Sequence, residues 1–431
     1  MRNWPARLPF FYGWVIVAIA FVTMAIGVTA RTAFSLLMPP LIDEFGWERG
    51  LAAGAFSFGF LVSAIASPLI GRVMDARGPQ VVILAGVILL GTGLLLAPLI
   101  AEPWHLYATL GLLVGGGANL MSFTAQSLYL PYWFQRRRAL AISIAFSGVG
   151  VGAIFLLPWL QDIIVRDGWR TACMTMGVIV LAVAGPLNLF VRRRPEDVGL
   201  KPDGAAADES ASHVRRTGHV VDAAWVATEW TLARAIRTWR FWMLACAFFC
   251  GTFAWYAVQV HQTKYLIEVG FTPTVAAWAL GFVSAIAIPG QIALAGLSDR
   301  IGREWVWSIA TGGFALSYAA LLALEHSPSP LLLYIMIGTQ GFLGYSLTAV
   351  MGPMTAEIFE GAHYGAIFGS LSVPLMAGGA AGPWVAGVVH DATGSYRLAF
   401  LLSLVLCLVS IATVWLAAPR KVRLVPGRAP T

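Results

Sequence analysis

A single guanidinium inside an apolar run is the first chemistry this chain offers. Arg31, in Thr29-Ala30-Arg31-Thr32, stands about two-thirds of the way along the apolar stretch 11–38. Such a charge costs ~2.5–3.5 kcal/mol near the middle of a bilayer, so it needs water or a partner. A carboxylate has the right shape, because the planar fork of N–H donors matches its two oxygens. The competing role is structural, an arginine that snorkels to headgroups or holds one hydrogen bond. A second set lies in the stretch 240–266, where Trp255, Tyr256, Gln259, Gln262 and Thr263 share one helical face, and His261, Lys264 and Glu268 lie nearly opposite. His261 is the buried group that titrates nearest neutral pH, which makes it the candidate for proton coupling; a hydrogen-bonded packing role is the alternative. Asn119, Ser122, Gln126 and Tyr129 recur at helical spacing in 105–130, and Tyr345 and Thr348 follow in 330–357. These side chains suit substrate oxygens, or equally interhelical hydrogen bonds worth ~0.6 kcal/mol each.

What is missing narrows the chemistry. None of the 21 Asp+Glu falls in the central part of an apolar stretch. No Ser/His pair, paired carboxylates or metal-ligand spacing appears there, and Cys173, Cys246, Cys250 and Cys407 all sit in apolar runs. The expectation is a protein that is not an enzyme and needs no metal or cofactor.

The elements that position these residues follow from composition. At 58% hydrophobic and 11% charged, with a mean hydropathy of +0.75, the chain is far from a soluble domain. Twelve apolar segments are long enough for a core that takes ~20 residues: 11–38, 51–70, 80–100, 105–130, 139–164, 169–191, 240–266, 275–297, 305–324, 330–357, 363–389 and 396–418. The first is longer than a signal-peptide core and is read as a mature helix.

The segments repeat. Asp75-Ala76-Arg77-Gly78 returns as Asp299-Arg300-Ile301-Gly302, Leu41-Ile42-Asp43 as Leu266-Ile267-Glu268, Pro158-Trp159 as Pro383-Trp384, and Trp169-Arg170 as Tyr396-Arg397, at offsets of about 225. By that offset Tyr256 is the mate of Arg31. The expected architecture is all-α: twelve transmembrane helices in two pseudo-symmetric six-helix bundles, 1–191 and 240–431, joined by a polar linker, 192–239. Within the linker, 228–240 alternates tryptophan and arginine with apolar residues and predicts an amphipathic helix lying on the membrane. Gly71, Asp75 and Gly78 in the first copy, and Asp299, Arg300 and Gly302 in the second, mark two tight loops, read as conformational gates, where glycine permits the turn and aspartate caps or pairs.

Basic residues set the orientation. Of 28 Lys+Arg, 22 fall on the side of the N-terminus and five (Arg49, Arg166, Arg170, Lys264, Arg397) on the other. Setting aside nine around the linker still leaves an excess, which places both termini in the cytoplasm of a cell membrane. The net charge of +7 thus speaks for topology and anionic lipid, not for nucleic acid.

With twelve spans, two repeats and these loops, the chain resembles the major facilitator superfamily. Gly71-x-x-x-Asp75-x-x-Gly78 fits that superfamily's loop pattern, and the second copy has Ala295 where glycine is usual. Tyr132-Trp133-Phe134-Gln135-Arg136-Arg137-Arg138, followed by Gly148 and Gly150, resembles the signature of the monocarboxylate transporter family, which includes oxalate/formate exchangers. Tyr12-Gly13-Trp14, Gly168-Trp169-Arg170 and Arg194-Pro195-Glu196-Asp197 fit the same group. The resemblance implies secondary transport of small organic anions, and it places Arg31 within one residue of a functional lysine in the family. It also has gaps: where lactate-type members carry an Asp and an Arg, this chain has Ser284 and Ile288, and the eleventh segment lacks the lysine of oxalate exchangers.

The leading expectation is therefore a transporter of small organic anions, monocarboxylates first, working by alternating access, with a proton or counter-anion as a further partner. Arg31 would hold the carboxylate; Tyr256, Gln259, Asn119, Ser122, Gln126 and Tyr345 would shape the site. Drug or metabolite efflux is the rival within transport. A membrane receptor or scaffold without transport is the rival outside it.

Overall fold

The structure is a computed structural model describing residues 10–127, 129–134, 138–201, 219–361 and 363–424. Helix α1 (Gly13–Thr32) runs through Ala33 into α2 (Phe34–Phe45), followed by α3 (Arg49–Arg77) and α4 (Pro79–Leu96). A π-helical stretch, Tyr107–Gly115, leads into α5 (Gly116–Met121), and the long α6 (Arg138–Ile179) comes next. The second half contains α7 (Trp239–Glu268), α8 (Pro273–Ile301), α9 (Arg303–Leu324), α10 (Leu347–Ile358), α11 (Tyr364–Thr393) and α12 (Arg397–Ala417).

All twelve expected segments fall on helix. Among the described residues ten helical stretches are long and apolar enough to cross a membrane. One of these, Ala141–Asn188, has 48 residues and bends inside α6 at Gly168, whose φ of 85° and ψ of 161° are not helical. It accounts for the fifth and sixth segments together. The fourth is helical but interrupted: α5 stops at Ser122, which is extended, and short turns Phe123–Ser127 and Leu130–Trp133 continue it.

Contacts divide the chain into two units, Met1–Trp47 with Gly54–Ser212, and Glu48–Ala53 with His213–Thr431. Each contains a tight helix pair built the same way as one in the other. In the first unit, Gly148 and Gly152 of α6 lie against the carbonyls of Phe21 and Ala25 on α1; in the second, Gly378 and Gly382 of α11 lie against those of Phe249 and Phe253 on α7. A methyl at any of these four positions would overlap a carbonyl oxygen, so the backbones approach only because glycine stands there. The Gly148 singled out by the sequence is thus a packing residue.

The two repeated loops also share their geometry. Gly78 (φ 84°) separates α3 from α4 and Gly302 (φ 108°) separates α8 from α9, both in the left-handed half of the backbone map that favours glycine. In the second loop, Arg303 donates to Asp299 (2.6 Å) and Glu357 (2.9 Å), while Arg300 points outward. The surroundings of Gly71 and of the Asp75 side chain in the first loop lie outside what is described.

The expected surface helix over 228–240 is not there. Within it stands a one-turn helix, Leu232–Ala235 capped by Thr231, before α7 begins at Trp239, and another one-turn helix, Ala223–Ala227 capped by Asp222, precedes the segment. Two tryptophans here turn inward: Trp225 donates its indole N–H to the Ile358 carbonyl (2.7 Å), and Trp230, between the two turns, is buried against Phe359, whereas Trp239 is exposed. Tryptophan suits an interface and a core alike, and a core with a free carbonyl takes both halves of the ring. A two-residue strand, β1 (His219–Val220), pairs antiparallel with β2 (Arg423–Leu424) and fastens this end of the linker to the second unit.

Candidate functional sites in each unit

In the first unit α1 delivers Arg31 to a cavity with an otherwise apolar wall. Phe34, Phe56, Gly59, Phe60, Leu94 and Leu110 are among the lining residues. The guanidinium carbon lies 4.8 Å from the centre of the Phe60 ring and 6.0 Å from that of Phe56. Ring faces attract a cation through their negative π-surface, which holds the guanidinium at the wall of the cavity.

The fourth-segment candidates do not line this cavity. Asn119 is buried in α5, and its carbonyl accepts from the Ser122 hydroxyl (2.8 Å) just where the helix breaks. The Gln126 amide donates to the Met121 carbonyl (3.3 Å) and its oxygen accepts from Tyr129 (2.5 Å). Ser122 and Gln126 therefore spend these polar atoms on the interrupted helix itself.

In the second unit the seventh-segment face is assembled as its spacing suggests. Trp255 stacks on Tyr345 at 4.3 Å and on Tyr256 at 5.5 Å, and Gln259 donates to the Tyr345 hydroxyl (3.2 Å). Tyr345 reaches this cluster from a loosened stretch, π-helical over Thr339–Leu343 and tighter over Gly344–Ser346. Gln340, which sequence spacing gave no reason to choose, donates to Gln262 (3.1 Å). The Trp255 indole N–H, the Gln262 amide nitrogen and the Gln340 amide oxygen are buried without a hydrogen-bond partner. Two unused donors and an unused acceptor beside stacked aromatic rings give this unit groups to offer a polar, partly planar ligand.

His261 faces elsewhere, as its place on the opposite side of α7 requires. It is fully buried, with Nε2 2.8 Å from the Pro383 carbonyl and Nδ1 2.9 Å from the Tyr396 hydroxyl. A carbonyl only accepts, so Nε2 carries the proton, and in the neutral ring Nδ1 accepts from Tyr396. The Tyr396 oxygen in turn accepts from Nη1 of Arg49 (2.8 Å), which also donates to Glu268 (3.0 Å). Asp391 accepts from the backbone N–H groups of Arg49 (2.9 Å) and Gly50 (2.6 Å), capping the first turn of α3. His261, Tyr396, Arg49, Glu268 and Asp391 thus form one cluster in the second unit. Sequence reasoning named only His261 as a functional candidate here, because its partners lie 122 and 135 residues away.

A family model described as Major Facilitator Superfamily matches residues 17–294 and 262–431, and the chain belongs to that superfamily of membrane transporters. Its sequence resembles the monocarboxylate transporters. It is 28% identical to monocarboxylate transporter 12 of Homo sapiens, over 91% of this chain and 77% of that protein, and 24% identical to monocarboxylate transporter 13 of Rattus norvegicus, over 91% and 86%. Among solved structures, a bacterial homolog of the human lysosomal transporter Spinster, inward-facing and occupied, superposes with a TM-score of 0.71 at 16% identity, covering 96% of this chain and 99% of the other. The nucleoside transporter NupG superposes with a TM-score of 0.69 at 12% identity, covering 94% and 99%. At such identities the two structures speak for the fold alone.

Proposed function

We propose that this multi-pass transporter carries small organic anions, monocarboxylates first, by alternating access in a cell membrane with both termini on the cytoplasmic side. The observation that carries the reading is Arg31: a cation held against two phenylalanine rings, at a cavity whose remaining wall is apolar. A guanidinium so placed recognises a carboxylate by charge and by its fork of donors. The likeness to monocarboxylate transporters supports the same class. In the second unit, Tyr256, Gln259 and Tyr345 would contribute polar and aromatic groups to the substrate. His261 would serve proton coupling only by taking a proton on Nδ1, which obliges Tyr396 to stop donating there.

Uptake into proteoliposomes, from a panel of mono- and dicarboxylates with and without a pH gradient, tests this directly. Arg31→Gln is expected to weaken anion affinity by about tenfold or more, and Arg31→Lys by less, because the charge remains while the fork is lost. Normal affinity in a well-folded Arg31→Gln protein would refute the anion reading. His261→Gln measured alongside decides the coupling: proton-driven uptake that survives it unchanged assigns His261 to packing. The stacked Trp255, Tyr256 and Tyr345 favour one other reading, efflux of aromatic metabolites. Saturable flux of a neutral aromatic solute, insensitive to Arg31, would support that instead, and saturable flux of any solute removes the scaffold.

A further inference from the structure

Another arginine, this one buried, lies where the proposed transport chemistry has no use for it. Arg240, the second residue of α7, is 8% exposed, and its Nε and Nη1 atoms have no hydrogen-bond partner. Its guanidinium carbon lies 4.4 Å from the Trp225 ring and 5.7 Å from the Trp239 ring. Stacking leaves the Nε and Nη1 N–H groups unsatisfied, and buried donors of a charged group without acceptors are expensive. Asp222 is the carboxylate that interacts with it through space, but one of its oxygens caps the helix Ala223–Ala227 by accepting from the Trp225 N–H (2.9 Å), and no hydrogen bond joins it to Arg240. The Trp225 indole is committed to Ile358, which fixes the ring against which the guanidinium lies.

The setting says what would complete it. Arg240 occupies the N-terminal turn of a 30-residue helix, where backbone N–H groups and the helix dipole favour negative charge. Beside it Ile236, Trp239 and Trp242 are exposed, and so are Arg234 and Arg237. Apolar and indole side chains interleaved with arginine are the composition of a membrane–water interface.

We propose that Arg240 anchors a phosphate-binding site at the N-terminal end of α7, which takes the headgroup phosphate of an anionic phospholipid or a free phosphate ion. A phosphate brings several oxygens in a tetrahedral array and so can meet N–H groups that a stacked ring leaves unpaired. The proposal is independent of Arg31 and of the transported solute.

The full chain, purified in detergent, is titrated with phosphatidylglycerol, phosphatidylcholine or inorganic phosphate, with melting temperature and ligand retained in native mass spectra as the readouts. Phosphatidylglycerol or inorganic phosphate should raise the melting temperature of the wild type. Arg240→Gln should need about tenfold more of the same ligand, while its ligand-free form melts no lower than wild type, since an uncompensated charge has been removed. Arg237→Gln, a change of the same charge on the exposed surface, should stay within about twofold. Response to the lipid but not the ion assigns the phosphate to a headgroup, and the reverse assigns it to a free ion; both uphold the site. An unchanged response in Arg240→Gln, or no response of the wild type to either ligand, overturns it. Should Arg240→Gln fail to fold, Arg240→Lys decides: the loss of the planar donors should weaken the response by about threefold, and an unchanged response refutes the assignment.

Discussion

The two units each tie an acid at a helix end to an arginine and an aromatic ring, and they do it with different reach. In the first unit Glu44, at the end of α2, accepts from both terminal nitrogens of Arg170 (2.8 and 2.7 Å) and from the Trp169 indole (2.7 Å). In the second, Glu268 at the end of α7 pairs with Arg49, and Tyr396, the repeat-mate of Trp169, joins through its hydroxyl. The repeat supplies the ring in both, while the acid is displaced by one residue, since the mate of Glu268 is Asp43 and the first cluster uses its neighbour Glu44. The arginine differs: Arg397, the mate of Arg170, is replaced in this role by Arg49 from the segment Glu48–Ala53, which belongs to the second unit by its contacts.

That substitution changes the physics of the pair. Side-chain exposure is 40% and 39% for Arg170 and Glu44, but 14% and 35% for Arg49 and Glu268. The first pair is half in solvent and is screened; the second is largely shielded on its arginine side and continues through Tyr396 to the fully buried His261. One cluster fastens a helix end locally. The other connects the first turn of α3 to a titratable group inside the second unit.

The largest effect should follow from removing the imported arginine. Arg49→Ala leaves the Glu268 carboxylate without its cation and the Tyr396 hydroxyl without a donor, in a partly shielded site. A loss of roughly 2–3 kcal/mol is expected, below the 3–5 of a fully buried pair because Glu268 keeps some solvent. Thermal unfolding of the full chain in a fixed detergent measures it. Should Arg49→Ala cost no more than Arg170→Ala, burial is not what separates the clusters, and the comparison fails.

How far these clusters were legible depends on how each residue finds its partners. Period and hydropathy mark the spans, and an offset shared by several landmarks marks the repeat, because both are local or cumulative signals. Gly78 and Gly302 were readable as turns for the same reason. The face of α7 holding Trp255, Tyr256 and Gln259 needed only the 3.6-residue period, and Arg31 announced itself as a charge among apolar neighbours. Arg49 did not: its partners Glu268, Asp391 and Tyr396 are 219, 342 and 347 residues away, and no spacing rule connects them. Gln340 pairs with Gln262 across 78 residues and shares that silence. The linker misled in another way, since alternating tryptophan and arginine fits a membrane surface and an inward-turned, cation-stacked packing equally well.

A smaller effect belongs to the cap that holds the same segment. Asp391 accepts two backbone N–H groups at the start of α3, as a capping carboxylate does, with the favourable interaction of its charge and the helix dipole added. Asp391→Ala should cost about 1 kcal/mol, and Asp391→Asn less, because the amide oxygen still accepts. Measured beside Arg49→Ala, this separates the backbone part of the attachment from the side-chain part. Equal losses for Asp391→Ala and Arg49→Ala would mean that the segment is held by its cap and that the Arg49 fork adds little.

The smallest effect is expected in the first unit, and it sharpens the contrast most cheaply. Arg170→Ala breaks a two-pronged pair, but both partners are about two-fifths exposed, so water replaces much of what is lost. Its stacking on the Trp169 ring at 4.4 Å is lost as well, which brings the expected cost to about 0.5–1 kcal/mol. Because the pair is solvated, raising salt should shrink the difference between wild type and Arg170→Ala, while the Arg49→Ala difference should hardly move. The two unfolding series at low and high salt form a single experiment. A cost for Arg170→Ala that resists salt would show that the first cluster is as shielded as the second, and that exchanging the arginine has not changed what the cluster does.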